Sequence, residues 1–167
     1  YYVPLLEPFL KGKVPELLNH ILKDEDCVIA PSKKISEYLI KNGYKKPVRI
    51  IPNGIDLSTF YERNEDILRK SKELRARFSI EPDNDLIVFV GRLATEKNIN
   101  TLLLNFKEIV KASPKARLMI VGDGPDRREL EAYAYELGVS KETVFTGYLR
   151  WPEEIKIVYA AADLFMS

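Results

Sequence analysis

Short apolar runs alternate along this chain with longer segments in which apolar residues recur every three or four positions. Runs of four to six apolar residues are typical of buried parallel strands, and the longer period is typical of one face of a helix. Because the two patterns alternate, they predict parallel βαβ construction. We predict strands at Asp26–Ala30, Val48–Ile51, Leu86–Val90, Arg117–Val121, Thr143–Phe145 and Asp163–Met166. The fold class is therefore α/β, a Rossmann-like parallel sheet with flanking helices.

A turn-rich pentapeptide, Pro-Asn-Gly-Ile-Asp at 52–56, interrupts this alternation after the second predicted strand. The highly charged segment 62–77 that follows has apolar residues at helical spacing. We therefore predict two domains, 1–51 and 62–167, joined by a crossing at 52–61. Composition alone leaves open the alternative that the pentapeptide is an ordinary surface loop.

Residues that favour helix ends stand at the edges of the helical segments. Ser32 precedes one segment and can cap it, while Asn42 and Gly43 follow that segment and tolerate the left-handed conformation. Pro125 suits the first turn of a later helix, because proline lacks the N–H that this turn leaves unpaired. These positions predict one strand-helix-strand unit before residue 52 and further helices after it.

Charge and rare residue types exclude several functions. Lys and Arg number 26 against 25 for Asp and Glu, so the net charge of +1 gives no general attraction to nucleic acid. Cys27 is the only cysteine and His20 the only histidine, which excludes an intramolecular disulfide, a cysteine-rich zinc site and catalysis by paired histidines. No apolar stretch approaches the roughly 20 residues that span a bilayer. We expect a cytoplasmic protein without a metal site or a nucleic-acid partner.

The strongest candidate site lies where the third predicted strand meets the next helix. Gly91 and Arg92 follow the strand directly, and Lys97 precedes the helical stripe that begins at Ile99. A strand tip that leads into a helix N-terminus presents unpaired N–H groups and the positive end of the helix dipole. Two added cations at this place indicate a diphosphate site. The alternative is a pair of solvated cations at a helix start.

A second glycine-containing turn, Gly-Asp-Gly-Pro-Asp at 122–126, follows the fourth predicted strand. It is not a dinucleotide-binding fingerprint, because Arg127 occupies the place of the third glycine and the turn follows the second strand of its block. A Gly-x-x-x-x-Gly-Lys-Ser/Thr phosphate loop is absent from the sequence. These departures argue against a kinase-like protein and against an ordinary NAD-dependent dehydrogenase.

Five segments carry a family resemblance. They are Pro-Asn-Gly-Ile-Asp at 52–56, Val-Gly-Arg-Leu at 90–93 with Glu96-Lys97, Val-Gly-Asp-Gly-Pro at 121–125, Phe-Thr-Gly-Tyr at 145–148 and Tyr-Ala-Ala-Ala-Asp-Leu-Phe at 159–165. In this order they resemble the motifs of retaining glycosyltransferases of family 4, which have the two-domain GT-B architecture. The resemblance implies that the first domain is the end of an N-terminal acceptor domain. The second would be part of a C-terminal domain that binds a nucleotide-sugar donor.

The resemblance also implies roles for individual residues. Arg92 and Lys97 would hold the donor diphosphate and stabilise its charge as it leaves, which makes them the catalytic candidates. The other donor-binding positions are Gly91, Gly122, Tyr148 and Leu149. The backbone of the last two would meet the nucleobase, and Gly122 would line the pocket floor. The implied donor is a UDP- or GDP-sugar, with no metal and no tightly bound cofactor.

Parts of the family pattern are missing from this chain. The family carries two glutamates near the donor ribose and sugar beyond the segment that ends here, and most of the N-terminal domain is also absent. His20 matches no family motif. We therefore expect this chain alone to be inactive, as an internal piece of an enzyme that transfers a sugar with retention of configuration.

The acceptor is predicted less narrowly, as a lipid or a saccharide. Segments 1–9 and 28–32 are similar to members that glucosylate diacylglycerol, and the lysines of the first domain would fit peripheral contact with the inner face of a membrane. The alternative is that these lysines are simply solvated. Two other functions remain open, a nucleotide-sugar-binding module and a GT-B epimerase without transferase activity.

Overall fold

The chain folds as two compact units, one up to Ile55 and one from Asp56, in a computed structural model that describes residues 13–56, 58–61 and 64–166. The first unit contains α1 (Val14–Ile21), β1 (Val28–Ala30), α2 (Lys33–Lys41) and β2 (Val48–Ile50). Its strands pair in parallel with Val28 opposite Val48, so the predicted strand-helix-strand unit is confirmed. The assignment of the two regions to an acceptor and a donor domain stays a prediction.

The ends of α2 follow the predicted caps. The Ser32 hydroxyl oxygen accepts a hydrogen bond from the backbone N–H of Ile35 (3.3 Å), as an N-cap should. Gly43 has φ +88° and ends α2 in the left-handed region, whereas Asn42 has φ −91°. The Asn42 side chain instead donates to the backbone oxygen of Tyr38 (2.7 Å), so only the glycine takes the left-handed conformation.

The second unit holds one parallel four-stranded sheet in the order β5-β4-β3-β6. Its elements are α3 (Ser58–Tyr61), α4 (Glu65–Arg77), β3 (Asp85–Val90), a 3₁₀ turn (Thr95–Lys97), α5 (Ile99–Ala112), β4 (Ala116–Val121), α6 (Arg127–Glu136), β5 (Thr143–Gly147), α7 (Glu153–Ala161) and β6 (Leu164–Phe165). All six predicted strands are present, and the predicted α/β class is confirmed.

Helices cover both faces of this sheet, because alternate residues of each strand point to opposite sides. One buried layer joins β3 and β4 to α5 and α6 through Ile87, Phe89, Leu103, Phe106, Ile120 and Leu130. The other joins the same strands to α7 through Leu86, Val88, Met119, Ile155 and Val158, with Leu74 of α4 packed against it. Burial on both faces explains why β3 and β4 are continuous apolar runs rather than alternating ones.

Arg75 of α4 forms hydrogen bonds to the end of α7 and to the residue before the edge strand β6. The Arg75 guanidinium donates through Nη1 to the backbone oxygen of Ala161 (2.9 Å) and to Oδ2 of Asp163 (3.2 Å). The same Asp163 oxygen accepts the backbone N–H of Leu86 (2.8 Å). These bonds hold the end of α7 and the start of β6 against β3.

The start of α6 differs from the prediction. The helix begins at Arg127, so Pro125 lies in the preceding loop and not in the first turn. Asp126 occupies the N-cap position, but its side chain makes no capping hydrogen bond because its carboxylate accepts a hydroxyl from another loop.

The longest described helix, α5, has 14 residues. Among the residues that the structure describes, no helix combines the length and the apolar character needed to cross a membrane.

Candidate functional site

Backbone hydrogen bonds join the carboxyl ends of β3, β4 and β5 into one continuous rim. The N–H of Gly91 donates to the carbonyl oxygen of Val121 (2.9 Å), and the N–H of Gly122 donates to that of Gly147 (2.9 Å). Ligands of open parallel sheets bind beyond the carboxyl ends of the strands. The loops that the sequence singles out therefore lie side by side at the edge where such a site is expected.

Two glycines allow the first two loops to touch through their backbones. Gly122 has φ +131°, and a Cβ on it would lie 1.9 Å from the carbonyl oxygen of Gly91. A Cβ on Gly124 would lie 2.1 Å from the carbonyl oxygen of Leu93, whose own N–H donates to the backbone oxygen of Asp123 (3.0 Å). No side chain fits either position without moving the neighbouring loop.

A cavity of about 280 Å³ opens above this rim. It is lined by Val90, Gly91, Arg92, Val121, Gly122, Asp123, Tyr148, Leu149, Trp151 and Ile155. Five of the six predicted donor-site positions are in this lining, and Lys97 is the exception. Most of the wall is apolar, and Arg92 is its one cation. The arrangement can enclose a flat apolar group beside an anion.

The Arg92 guanidinium is exposed and makes no hydrogen bond or ion pair with another described side chain. The nearby carboxylate of Asp123 is occupied elsewhere, because Oδ1 accepts the N–H of Gly124 (2.8 Å) and Oδ2 lies 3.6 Å from Nη1 of Arg127. The pKa of Arg127 is raised, first by its hydrogen bond to Glu131. The carboxylates of Asp123 and Glu131 are thus paired with Arg127. The N–H donors of Arg92, which lines the cavity, are available to a ligand.

Lys97 precedes α5, which begins at Ile99 as the apolar stripe of the sequence predicts. The structure adds that Lys97 ends a 3₁₀ turn, which the sequence did not predict. Asn98 separates the two in the left-handed region, with φ 51°. The dipole of α5 therefore does not act directly on Arg92, which lies a full loop before the helix. The Lys97 side chain is exposed and does not line the cavity.

Sequence reasoning missed one aromatic wall residue, Trp151. Its side chain is 54% exposed, and its ring centroid lies 5.0 Å from that of Phe60 in α3. Tyr148, on the same wall, is 75% exposed. The available signal was an aromatic residue four positions after the end of β5, and periodicity alone cannot tell such a residue from a surface one.

The described residues offer no obvious metal centre, since no three His, Cys, Asp or Glu side chains among them are grouped to hold an ion. The charged residues of the cavity lining are instead Arg92 and Asp123, and the carboxylate of Asp123 is paired with Arg127. This donor set suits an organic anion more than a cation.

Residues 70–167 match the family model described as glycosyl transferases group 1, and residues 1–59 match that of glycosyltransferase family 4. The first match covers more than half of the chain. The chain belongs to the group 1 glycosyl transferases. The family resemblance of the five sequence segments is thereby confirmed.

Curated relatives agree with this assignment. The chain is 35% identical over 154 residues to an alpha-monoglucosyldiacylglycerol synthase of Streptococcus pneumoniae, covering 92% of this chain and 34% of that protein. It is 30% identical over 166 residues to the synthase of the same name from Acholeplasma laidlawii, covering 99% of this chain and 40% of that protein. The chain thus spans between a third and two-fifths of the length of these relatives.

A solved structure supports the fold of this glycosyl transferase chain. HepE of Anabaena, solved in complex with UDP and glucose, is similar with a TM-score of 0.76 and 20% identity. The match covers 92% of this chain and 41% of HepE. At this identity the likeness concerns the fold, which is that of the GT-B glycosyltransferases.

Proposed function

We propose that this chain is the donor-binding part, with the adjoining end of the acceptor part, of a hexosyltransferase that uses a UDP- or GDP-sugar and retains the anomeric configuration. The observation that carries the proposal is the cavity at the joined strand ends, where Gly91, Arg92, Gly122, Tyr148 and Leu149 meet. Membership of the group 1 glycosyl transferases supports the interpretation of this cavity as a nucleotide-sugar site. The partial length agrees with a piece of such an enzyme.

The proposed chemistry is stabilisation of a departing diphosphate. The bond between the anomeric carbon and the diphosphate oxygen breaks, and negative charge grows on the leaving group while the acceptor oxygen bonds to the same carbon. Arg92 can donate two parallel hydrogen bonds to phosphate oxygens, and Lys97 can follow the charge as a compact ammonium. Both act as catalytic residues in this scheme, with neither a metal nor a tightly bound cofactor.

The donor base is proposed to lie against the apolar wall. Backbone groups at Tyr148 and Leu149 can distinguish uracil from guanine by their hydrogen-bonding pattern, and the exposed rings of Tyr148 and Trp151 offer faces for stacking. Because Gly122 has no side chain, the diphosphate can approach the backbone at the cavity floor.

For the acceptor we propose a lipid, diacylglycerol, at the inner face of a membrane, reached by peripheral contact. Support comes from the two similar synthases and from exposed lysines in the first unit, among them Lys34, Lys41 and Lys45. Exposed Ile40, which precedes Lys41 at the end of α2, adds an apolar contact of the kind that interfacial segments use. Transfer of hexose to diacylglycerol in anionic vesicles by the full-length protein tests this part, and transfer to a soluble saccharide alone contradicts it.

The donor site is tested by titrating the chain with UDP, GDP, ADP and NAD while amide chemical shifts are followed. We expect shifts with UDP or GDP that concentrate on the strand ends and are lost in an Arg92→Ala/Lys97→Ala double variant. The matched control is Lys115→Ala/Lys141→Ala, which removes the same charge at the amino ends of β4 and β5. Equal binding by both double variants, or binding of NAD alone, contradicts the proposal.

The same proposal predicts the reaction of the full-length protein. Product analysis with a sugar nucleotide and acceptor should yield a glycoside of unchanged anomeric configuration, whereas the 167-residue chain alone should yield none. Net epimerisation of the donor would favour a GT-B epimerase instead. Binding without any turnover by the full-length protein would favour a nucleotide-sugar-binding module.

A further inference from the structure

The 3₁₀ turn that carries Lys97 is bonded to a loop far away in the sequence. Thr95, the first residue of the turn, donates its hydroxyl hydrogen to Oδ2 of Asp126 (2.9 Å). Asp126 belongs to the loop between β4 and α6, which also supplies two cavity-lining residues. One side-chain hydrogen bond thus connects the two loops that frame the rim.

Asp126 is well placed to act as a fixed anchor for this bond. Its backbone N–H donates to the carbonyl oxygen of Leu93 (3.1 Å), and Leu93 is fully buried. Although Asp126 occupies the N-cap position of α6, its carboxylate does not cap that helix. An aspartate at an N-cap ordinarily accepts a backbone N–H of the first turn. Here the carboxylate reaches across to Thr95 instead.

The turn is held at its flanks by buried Ala94 and Ile99, whereas Thr95 and Lys97 within it are exposed. Its three residues make two local hydrogen bonds, from Lys97 N–H to the backbone oxygen of Ala94 (2.8 Å) and from Asn98 N–H to that of Thr95 (3.1 Å). At its far end Asn98 adopts the left-handed conformation, and its Oδ1 accepts the hydroxyl of Thr101 (2.9 Å). Lys97 therefore stands between a tether at Thr95 and a bend at Asn98.

We infer that Thr95 and Asp126 are a positioning pair that sets the direction of Lys97 toward the donor diphosphate, an inference that rests on the proposed function. Although a lysine has a flexible four-carbon stem, the place of its Cα still limits which phosphate oxygens its ammonium can reach. Loss of the tether lets the short turn drift, and the ammonium then spends less time at the diphosphate. Neither residue of the pair lines the cavity, so in this inference both act through Lys97.

The test is a Thr95→Val substitution in the full-length protein, with UDP and GDP affinities measured by calorimetry. Valine keeps the shape and β-branching of threonine but cannot donate to Asp126. We expect affinity for the nucleotide that binds to fall about three- to tenfold, the range of one hydrogen bond. Thr95→Ser keeps the hydroxyl and should restore affinity to within about twofold of the original.

A double-variant cycle separates positioning from a general effect on the fold. In a Lys97→Ala background the Thr95→Val change should cost nothing further, because the group on which it acts is gone. Ser113→Ala is the matched control, since it removes a comparable hydroxyl hydrogen bond to Asp85 (3.1 Å) at the amino end of β3, away from the cavity. We expect that control to leave nucleotide affinity unchanged.

The possible results distinguish this inference from the proposed function. If Lys97→Ala weakens binding but Thr95→Val does not, or if Thr95→Val costs the same in both backgrounds, the positioning pair is wrong while the donor site stands. If neither UDP nor GDP binds to the full-length protein, or if Arg92→Ala/Lys97→Ala leaves binding unchanged, the proposed donor site fails and the pair fails with it.

Discussion

The two units build their strands from the same kind of apolar residues, but they bury them to different extents. In the second unit Ile87 and Ile120 are 5% and 0% exposed, because helices pack on both faces of a four-stranded sheet. In the first unit Ile29 and Ile50 are 64% and 48% exposed on a two-stranded sheet. An apolar run thus indicates a strand, whereas burial depends on how many layers pack against it. Since small sheets are marginal alone, we expect the second unit to carry most of the stability of the chain.

The largest effect should come from opening a cavity in the second unit. Phe106 is 1% exposed in the layer between β3, β4, α5 and α6, so Phe106→Ala should lower the free energy of unfolding by about 3–5 kcal/mol. Ile29→Ala in the first unit should change it by less than about 0.5 kcal/mol. Urea unfolding followed by the fluorescence of Trp151, the only tryptophan, reports on the second unit, and amide hydrogen exchange in β1 and β2 reports on the first. Similar losses for both variants would contradict the contrast between the units.

Glycines give a second contrast. Gly122→Ala places a Cβ 1.9 Å from a backbone oxygen at a φ of +131°, and we expect a loss of about 1–3 kcal/mol together with loss of nucleotide binding. Gly54→Ala in the first unit meets nothing within 4 Å, so stability should be unchanged or slightly higher. Gly138→Ala, with φ +76° and open space around it, is the control for backbone strain without a clash. If Gly138→Ala removes nucleotide binding as well, the loop contact is not the cause.

Most of the fold could be predicted from the sequence because its signals are local. The apolar runs of β3 and β4 are buried on both faces, and such runs are recognised without knowledge of their partners. The exact ends were less predictable. β1 begins at Val28 rather than Asp26, and α6 begins after Pro125, because these ends depend on sheet pairing and on a carboxylate that bonds elsewhere.

The candidate site was predictable only in part. Gly91, Arg92 and Gly122 could be found because strand-to-helix loops of a parallel sheet meet at one edge. Trp151 was not identified, because periodicity does not distinguish an aromatic residue of a cavity wall from one on the surface. The register shift of β5 between Ile120 and Val121 of β4 is also absent from any sequence pattern. The left-handed Asn98, which separates Lys97 from α5, is likewise a consequence of loop packing.

Helix caps provide a smaller contrast between the units. Asn64 Oδ1 accepts the N–H of Ile67 at 2.9 Å in the second unit, and the Ser32 hydroxyl accepts that of Ile35 at 3.3 Å in the first. We expect Asn64→Ala to lower the free energy of unfolding by about 1 kcal/mol and Ser32→Ala by about half as much. Amide hydrogen exchange in α4 and α2 measures each effect in its own helix. A larger loss for Ser32→Ala would show that the first unit depends more on its caps than its packing suggests.

Two buried hydroxyls give the smallest contrast, and their substitutions should act in opposite directions. The Thr143 hydroxyl in the second unit donates to the carbonyl oxygen of Val139 (2.8 Å), so Thr143→Val should lower the melting temperature. The Tyr44 hydroxyl in the first unit is buried without a hydrogen-bond partner among the described residues, so Tyr44→Phe should leave the melting temperature unchanged or raise it.

Alkaline pH sharpens this last comparison. Burial, followed by the nearby Cys27, Glu25 and Asp26, raises the pKa of Tyr44. The folded chain therefore keeps its phenol proton more tightly than the unfolded chain, and the stability that this supports is fully present below the ordinary tyrosine pKa of about 10. It is lost as pH rises above about 10 and through the raised pKa of the folded state. Because phenylalanine does not titrate, the melting-temperature advantage of Tyr44→Phe should widen between about pH 8 and about pH 11. Melting curves across this interval measure the change, and a constant difference would mean that the Tyr44 hydroxyl is solvated in the folded chain.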